Sequence, residues 1–150
     1  MLELRPLSPA DLPAMLLIEQ AAYDHPWSAS LLASCFGERY LGGGAWHQGQ
    51  LVGYYLADWL LDESTLMNLC LRPDCRGRGW GRALLGDYLA RSTALGCRHW
   101  WLEVRRSNRT AQGLYLSAGY HEVGCRRNYY PTNTGREDAL LMGRTLDPGA

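Results

Sequence analysis

The sequence predicts a mixed α/β domain, with a mostly antiparallel sheet of seven strands, four flanking helices and one parallel crossover in the middle. Three observations lead there. The first half of the chain carries short strand-like segments joined by turn residues at hairpin spacing. A glycine-rich turn at residues 77–81 follows one strand and opens a long helix, and a strongly apolar strand comes after that helix. A last pair of strand-like segments flanks a Pro-Thr-Asn-Thr-Gly loop near the end of the chain.

The elements follow in order. Leu2 to Arg5 alternates as a short strand. Ser8 is an N-cap, Pro9 stands at the first helical position and Asp11 lies in the first turn, so a helix runs to about Ala22. Asp24-His25-Pro26-Trp27 breaks it, and Ser28 caps a second, short helix ending at Gly37. Tyr40 to Trp46 is a strand weakened by three glycines. Gln48-Gly49-Gln50 turns it into a hairpin with Leu51 to Leu60. The next strand, Thr65 to Leu71, stops at Pro73. The helix after the glycine-rich turn reaches about Leu95 and ends on Gly96. Arg98 to Val104 is a strand, Asn108 begins a helix that closes at Gly119, and Tyr120 to Tyr129 pairs with Ala139 to Thr145.

Composition narrows the function. The 150 residues, 47% hydrophobic and 20% charged, fit one soluble domain over residues 1–146 with a short tail at 147–150. Fifteen acidic residues balance fifteen basic ones, which argues against direct nucleic-acid binding through charge. Every basic residue is an arginine. The lack of lysine excludes a Walker-type phosphate loop, Schiff-base chemistry and pyridoxal chemistry, so any phosphate must be held by backbone N–H groups and arginine. The five cysteines are odd in number, form no Cys-x-x-Cys pair and do not cluster with the histidines, which points to free thiols in a reducing compartment and to no metal. The first residues do not read as a signal peptide and no apolar stretch is long enough to span a bilayer, so a cytoplasmic protein with no membrane attachment is expected.

The segment richest in chemistry is Arg76-Gly77-Arg78-Gly79-Trp80-Gly81-Arg82. Alternating glycines let backbone N–H groups converge, the following helix start adds partial positive charge, and three arginines add full charges. Such a site suits a pyrophosphate; the alternative is a flexible loop with solvated arginines. A nicotinamide fingerprint would sit in a first βα turn, which this is not. Glu103 interrupts a strongly apolar strand, where a partly desolvated carboxylate would be a good proton acceptor; the alternative is an ion pair with Arg105 or another arginine. Asn108 and Tyr115 lie about two helical turns apart and share a face. Taken singly, Tyr115 reads more readily as a packing aromatic with a solvent-facing hydroxyl. Asp58, Asp62 and Glu63 gather between two strands and suit a basic peptide, or are a solvated hairpin tip. Cys70 and Cys75 have no evident base nearby and are poor candidates for an acyl carrier.

Together these residues resemble the GCN5-related N-acetyltransferase (GNAT) superfamily. Its acetyl-CoA motif matches Arg76 through Gly81, and a later motif matches Asn108, Ala111, Leu114, Tyr115, Gly119 and Tyr120. A narrower resemblance covers nearly the whole chain. Pro26-Trp27-Ser28, Gly37-Glu38-Arg39-Tyr40-Leu41, Leu61-Asp62-Glu63, Trp101-Leu102-Glu103-Val104-Arg105, Arg127 to Thr132 and Gly135 to Ala139 look like the bacterial RimI-type ribosomal-protein alanine N-acetyltransferases. Trp80, Arg106 and Gly113 depart from the pattern; a mid-helix glycine costs about 1 kcal/mol relative to alanine.

The resemblance implies the GNAT fold, with its central parallel strands splayed apart to admit acetyl-CoA. It implies acetylation of the N-terminal alanine of the eighteenth small-subunit ribosomal protein, a basic partner, by a chain expected to be a monomer. Glu103 would be the general base and Tyr115 the general acid. Acetyl-CoA would be held by the backbone of Leu69, Cys70 and Leu71, by Arg76, Gly77, Arg78, Gly79, Trp80, Gly81 and Arg82, and by Asn108 and Tyr115. The acceptor peptide would meet Asp62, Glu63, Tyr130 and Arg136.

Overall fold

The computed structural model describes residues 1–146; the expected tail at 147–150 lies outside the described residues. The strands are β1 (Leu2–Pro6), β2 (Tyr40–His47), β3 (Gln50–Leu60), β4 (Glu63–Leu71), β5 (His99–Arg105), β6 (His121–Thr132) and β7 (Gly135–Thr145). The helices are α1 (Leu12–Ala22), α2 (Ala29–Ala33), α3 (Trp80–Ala94) and α4 (Arg109–Ser117). The strands form one sheet in the order β1-β2-β3-β4-β5-β7-β6. Every neighbouring pair is antiparallel except β4 and β5. The architecture is the expected seven-stranded mixed sheet with four helices.

Each face of the sheet has its own core. Leu84, Leu85 and Tyr88 of α3 and Tyr115 of α4 pack with Tyr55, Trp100, Leu102, Val104, Leu140 and Met142. On the other face Met15 and Ile18 of α1 and Leu32 of α2 pack with Tyr54, Leu56 and Cys70. Strand β3 feeds both cores with alternate side chains, and so it reads as an unbroken apolar run in sequence.

The β4–β5 pair is the feature that positions the site. The two strands pair only from Glu63↔His99 to Leu66↔Leu102. Beyond that point β4 continues to Leu71 and β5 to Arg105 without meeting. The cause is local. The register of β4 against β3 jumps from Ala57↔Leu66 to Leu56↔Asn68, which leaves Met67 as a bulge. A bulge bends its strand and increases its twist, so β4 turns away while β5 stays paired to β7 as far as Arg105↔Ala139.

Several boundaries differ from the sequence reading: α2 stops at Ala33 rather than Gly37, and β4 begins at Glu63 rather than Thr65. The first helix opens as a 3₁₀ turn over Pro9–Asp11, where the Ser8 N–H donates to Asp11 Oδ2 at 2.8 Å. The β6–β7 hairpin runs further than expected, with Tyr130↔Glu137, Pro131↔Arg136 and Thr132↔Gly135 paired beyond a bulge at residues 127–129. Polar side chains hold that bulge, which hydrophobic periodicity does not register. Arg136 donates to the carbonyls of Asn128 at 2.7 Å and Tyr129 at 2.9 Å, and the Asn128 N–H donates to Asp138 Oδ1 at 3.0 Å.

Candidate functional site

The turn before α3 is exposed and carries the positive charges of Arg76, Arg78 and Arg82. Gly77 and Gly79 have φ of 81° and 80°, the left-handed region in which a side chain is strained. A Cβ at either would meet no atom within 4 Å, so the turn is open rather than filled by packing. Gly79 is the N-cap of the 15-residue α3, whose first N–H groups face the turn. Arg76, Arg78 and Arg82 have no carboxylate partner among the described residues, in contrast to Arg72, which is held by Asp74 at 2.7 Å. Trp80 turns away toward β2, its ring 5.0 Å from that of His47, with the Arg78 guanidinium 5.0 Å above it. The indole therefore packs beside His47 of β2 and under the Arg78 guanidinium.

The turn follows the end of β4 that is no longer paired to β5. The Arg72 N–H donates to the Val52 carbonyl. Alternation along the ladder then points the backbone groups of Cys70 at β3 and those of Leu69 and Leu71 into the gap. The Leu69 carbonyl confirms this direction: it accepts from the Tyr23 hydroxyl at 2.8 Å, across from α1, rather than from β3. The Cys70 side chain lies in the core, where burial pushes its thiol up to about 12. That thiol is unsuited to nucleophilic work. All five cysteines are free, and Cys125 alone is exposed.

Glu103 is the first β5 residue past the last β4 pair. Its side chain is 27% exposed, and Oε1 accepts an ion pair from Arg126 Nε at 2.9 Å. The arginine partner that the sequence left open is thus Arg126 of β6, while Arg105 pairs with Glu137 at 3.0 Å. Tyr130 lies beside Glu103, and its hydroxyl is pushed up to about 12 by burial and then by that carboxylate. Tyr115, on α4, is 7% exposed, and burial, followed by the nearby Tyr130, raises its hydroxyl well above the ordinary tyrosine range. Tyr23 is raised in the same way by burial, with Cys70 and Tyr115 close by. Tyr130 is thus a neighbour of both Glu103 and Tyr115, and Tyr115 is a neighbour of Tyr23.

Other expected residues have different surroundings. Asn108 is the N-cap of α4, and its Oδ1 accepts from the Ala111 N–H at 3.2 Å. Arg136 holds the β6 bulge. Asp62 faces His99 at 3.8 Å. Glu63 lines a surface cavity beside Trp101.

Sequence reasoning missed Tyr23, Arg126 and Glu19. Glu19 is 1% exposed and accepts from the Tyr54 hydroxyl at 2.5 Å, from Asn68 Nδ2 at 2.7 Å and from the Trp27 N–H at 2.9 Å. The available signal for Glu19 was a charged residue on the apolar stripe of α1. Tyr23 and Arg126 gave none, because their contacts depend on sheet order.

A family model described as acetyltransferase (GNAT) family matches residues 4–120. The [ribosomal protein bS18]-alanine N-acetyltransferase of Escherichia coli (strain K12) is 45% identical over 136 residues, covering 91% of this chain and 92% of that protein. The enzyme of the same name from Haemophilus influenzae is 41% identical over 126 residues, covering 83% and 86%. The crystal structure of the ribosomal-protein-S18-alanine N-acetyltransferase from Escherichia coli superposes with a TM-score of 0.95 at 42% identity, covering 98% of this chain and 95% of that one.

Proposed function

Because the chain belongs to the GNAT family and is an acetyl-CoA-dependent N-acetyltransferase, we propose that its acceptor is the N-terminal alanine of ribosomal protein bS18. The observation that supports this reading is the early end of the β4–β5 pairing at Leu66↔Leu102, which leaves the edge of β4 that leads to the glycine–arginine turn, and Glu103 on β5, unpaired with each other. The chain covers nearly the full length of relatives named for that activity, which supports the choice of acceptor.

Acetyl-CoA supplies an acetyl thioester. The N–H groups around Gly77 and Gly79, with Arg76, Arg78 and Arg82, would hold its pyrophosphate. Backbone groups of Leu69 and Leu71 would bond its pantetheine arm in place of a missing strand. An N–H on the same edge is suited to donate to the oxygen on which negative charge builds. Glu103, with Oε2 left free by Arg126, takes the proton of the acceptor amine directly or through water. A peptide α-amine titrates near 7.7–8.0 against about 10.4 for a lysine side chain, so exposing the neutral nucleophile costs about 3.4 kcal/mol less. A carboxylate base therefore favours an N-terminal amine over a lysine.

Tyr115 stays protonated. An ordinary tyrosine is already a weaker acid than a thiol at about 8.5, and burial weakens it further. Its role is then to donate a hydrogen bond to the departing sulfur and stabilise the charge there. Tyr115→Phe should lower kcat by about 10- to 100-fold with little change in the acceptor KM; unchanged turnover would show that the sulfur leaves without this donor.

The acceptor is tested by release of free CoA thiol across peptides differing only in the first residue. Alanine should give the highest kcat/KM. Equal rates with all first residues, or with simple amines, would point to another acceptor. The cradle has its own test in Gly79→Ala, which forces a side chain into the left-handed region at about 1–2 kcal/mol. Affinity for CoA, read by calorimetry, should fall about tenfold in a folded protein; full affinity would remove the turn from the cofactor site.

A further inference from the structure

The stretch of β4 just past its bulge has no strand along its outer side, and α1 holds it instead. Asn68, the residue after Met67, is paired with Leu56 of β3. Leu69 is therefore the first residue beyond the bulge whose N–H and carbonyl both face away from β3, toward the unpaired length of β5. In a paired sheet a neighbouring strand satisfies and orients such groups. Here a side chain takes that place: the Tyr23 hydroxyl donates to the Leu69 carbonyl at 2.8 Å.

Tyr23 is itself well anchored. It is the C-cap of α1, and its N–H donates to the Glu19 carbonyl at 3.2 Å. Glu19 stands about one helical turn before it. The Glu19 carboxylate accepts from Asn68 Nδ2 at 2.7 Å. Two consecutive residues of β4 are thus tied to the last turn of α1, Asn68 by its side chain and Leu69 by its backbone. The first tie sets where the bulged strand lies. The second sets the direction of a backbone group that faces β5. Water would satisfy a carbonyl on an open edge equally well. What the phenol adds is a fixed direction. Burial, and then Cys70, holds the Tyr23 hydroxyl well above the ordinary tyrosine range, so it is a donor at every working pH.

We propose that Tyr23 is a positioning residue for acetyl transfer: by fixing the Leu69 carbonyl it fixes the aim of the Leu69 N–H at the thioester oxygen. The proposal rests on the reading above, in which the thioester lies along this edge of β4. The N–H and carbonyl of one extended residue point the same way, so turning one about the strand turns the other. As the amine attacks the thioester carbon, the carbonyl electron pair moves onto oxygen, where the Leu69 N–H meets it. The pair returns as the C–S bond breaks and the thiolate leaves. Tyr23 gains and loses no proton in this step. A donor already aimed has nothing to reorganise while the charge develops. The second lone pair of the Leu69 carbonyl stays available to an amide N–H of the bound arm.

The experiment compares wild type with Tyr23→Phe, which removes the hydroxyl and keeps the ring. The first readout needs neither turnover nor an acceptor. It is the infrared band of the thioester carbonyl in isotope-labelled acetyl-CoA bound to the full chain. In wild type this band should lie below its position in free acetyl-CoA, and in Tyr23→Phe it should move back toward the free position. The second readout is the split between kcat and KM with an alanine-initial peptide. Tyr23→Phe should lower kcat about tenfold. The peptide KM and the calorimetric affinity for CoA should stay within about twofold, since no contact to either is removed. The pH profile should keep both limbs, because Tyr23 does not titrate. A bond that served the fold alone would lower the melting temperature and leave the band and kcat at their wild-type values. An unmoved band or an unchanged kcat therefore overturns the proposal, and so does a lost limb of the pH profile, which would make Tyr23 a proton carrier. If alanine-initial peptides release no thiol while the band still moves in Tyr23→Phe, the acceptor reading fails and the positioning role stands.

Discussion

Replacing Glu103 with glutamine should lower kcat by about 10²- to 10⁴-fold, the span that a positioned general base contributes. The amide has nearly the same shape but cannot take a proton. Affinity for CoA should stay within about twofold, because the turn at Gly77 to Arg82 proposed to hold the pyrophosphate belongs to a different segment from Glu103 on β5. The ion pair between Glu103 and Arg126 at 2.9 Å gives the experiment a second arm. Arg126→Met removes the guanidinium while keeping a stem of similar length, and it frees Oε1 without removing the base. That variant should retain most of the turnover and show a changed pH profile, whereas Glu103→Gln should lose the acid limb of the profile altogether. Full activity in Glu103→Gln would take the base away from this residue and leave Tyr130 as the nearest group that could bridge to a water.

How far each part was legible in the sequence follows from the range of the interactions involved. The strands, the helices and their order along the chain were readable because periodicity, caps and glycine stops are local. Ser28 caps α2 through a bond to the Leu31 N–H, and Gly96 with φ of 100° follows α3, as their residue types suggest. The cradle was readable for the same reason, since all its parts lie within seven consecutive residues. Two things were not. The bulge at Met67 depends on how β4 meets β3, and no residue type at position 67 announces it. The surroundings of Glu103 depend on β7 lying between β5 and β6, which brings Arg126 within reach while Arg105, the neighbour in sequence, goes to Glu137. Long-range pairings of charged side chains carry almost no local signature.

The second large effect is expected far from the cradle. Glu19→Leu should destabilise the fold by about 3–5 kcal/mol, since it leaves the Tyr54 hydroxyl and the Asn68 amide buried without an acceptor, at about 1–3 kcal/mol each, and takes the partner of the Trp27 N–H. Thermal melting should shift down by on the order of 10 °C. Tyr54 is fully buried and its hydroxyl is raised by burial, so it remains a donor at every working pH and cannot relieve the loss by ionising. The triple variant Glu19→Leu, Tyr54→Phe and Asn68→Leu separates the causes. Removing the stranded donors along with the carboxylate should return much of the stability, because apolar groups of similar shape replace a whole network more cheaply than a broken one. If instead the triple variant is no more stable than Glu19→Leu, the cost lies in packing and not in the unpaired donors. Activity should not recover with stability. Asn68 directly follows the bulged Met67, and Trp27 belongs to the segment between α1 and α2, so the lost carboxylate had tied the bend in β4 to that segment. A stable triple variant with a raised KM for the acceptor would show that this buried network serves the geometry of the site as well as the fold.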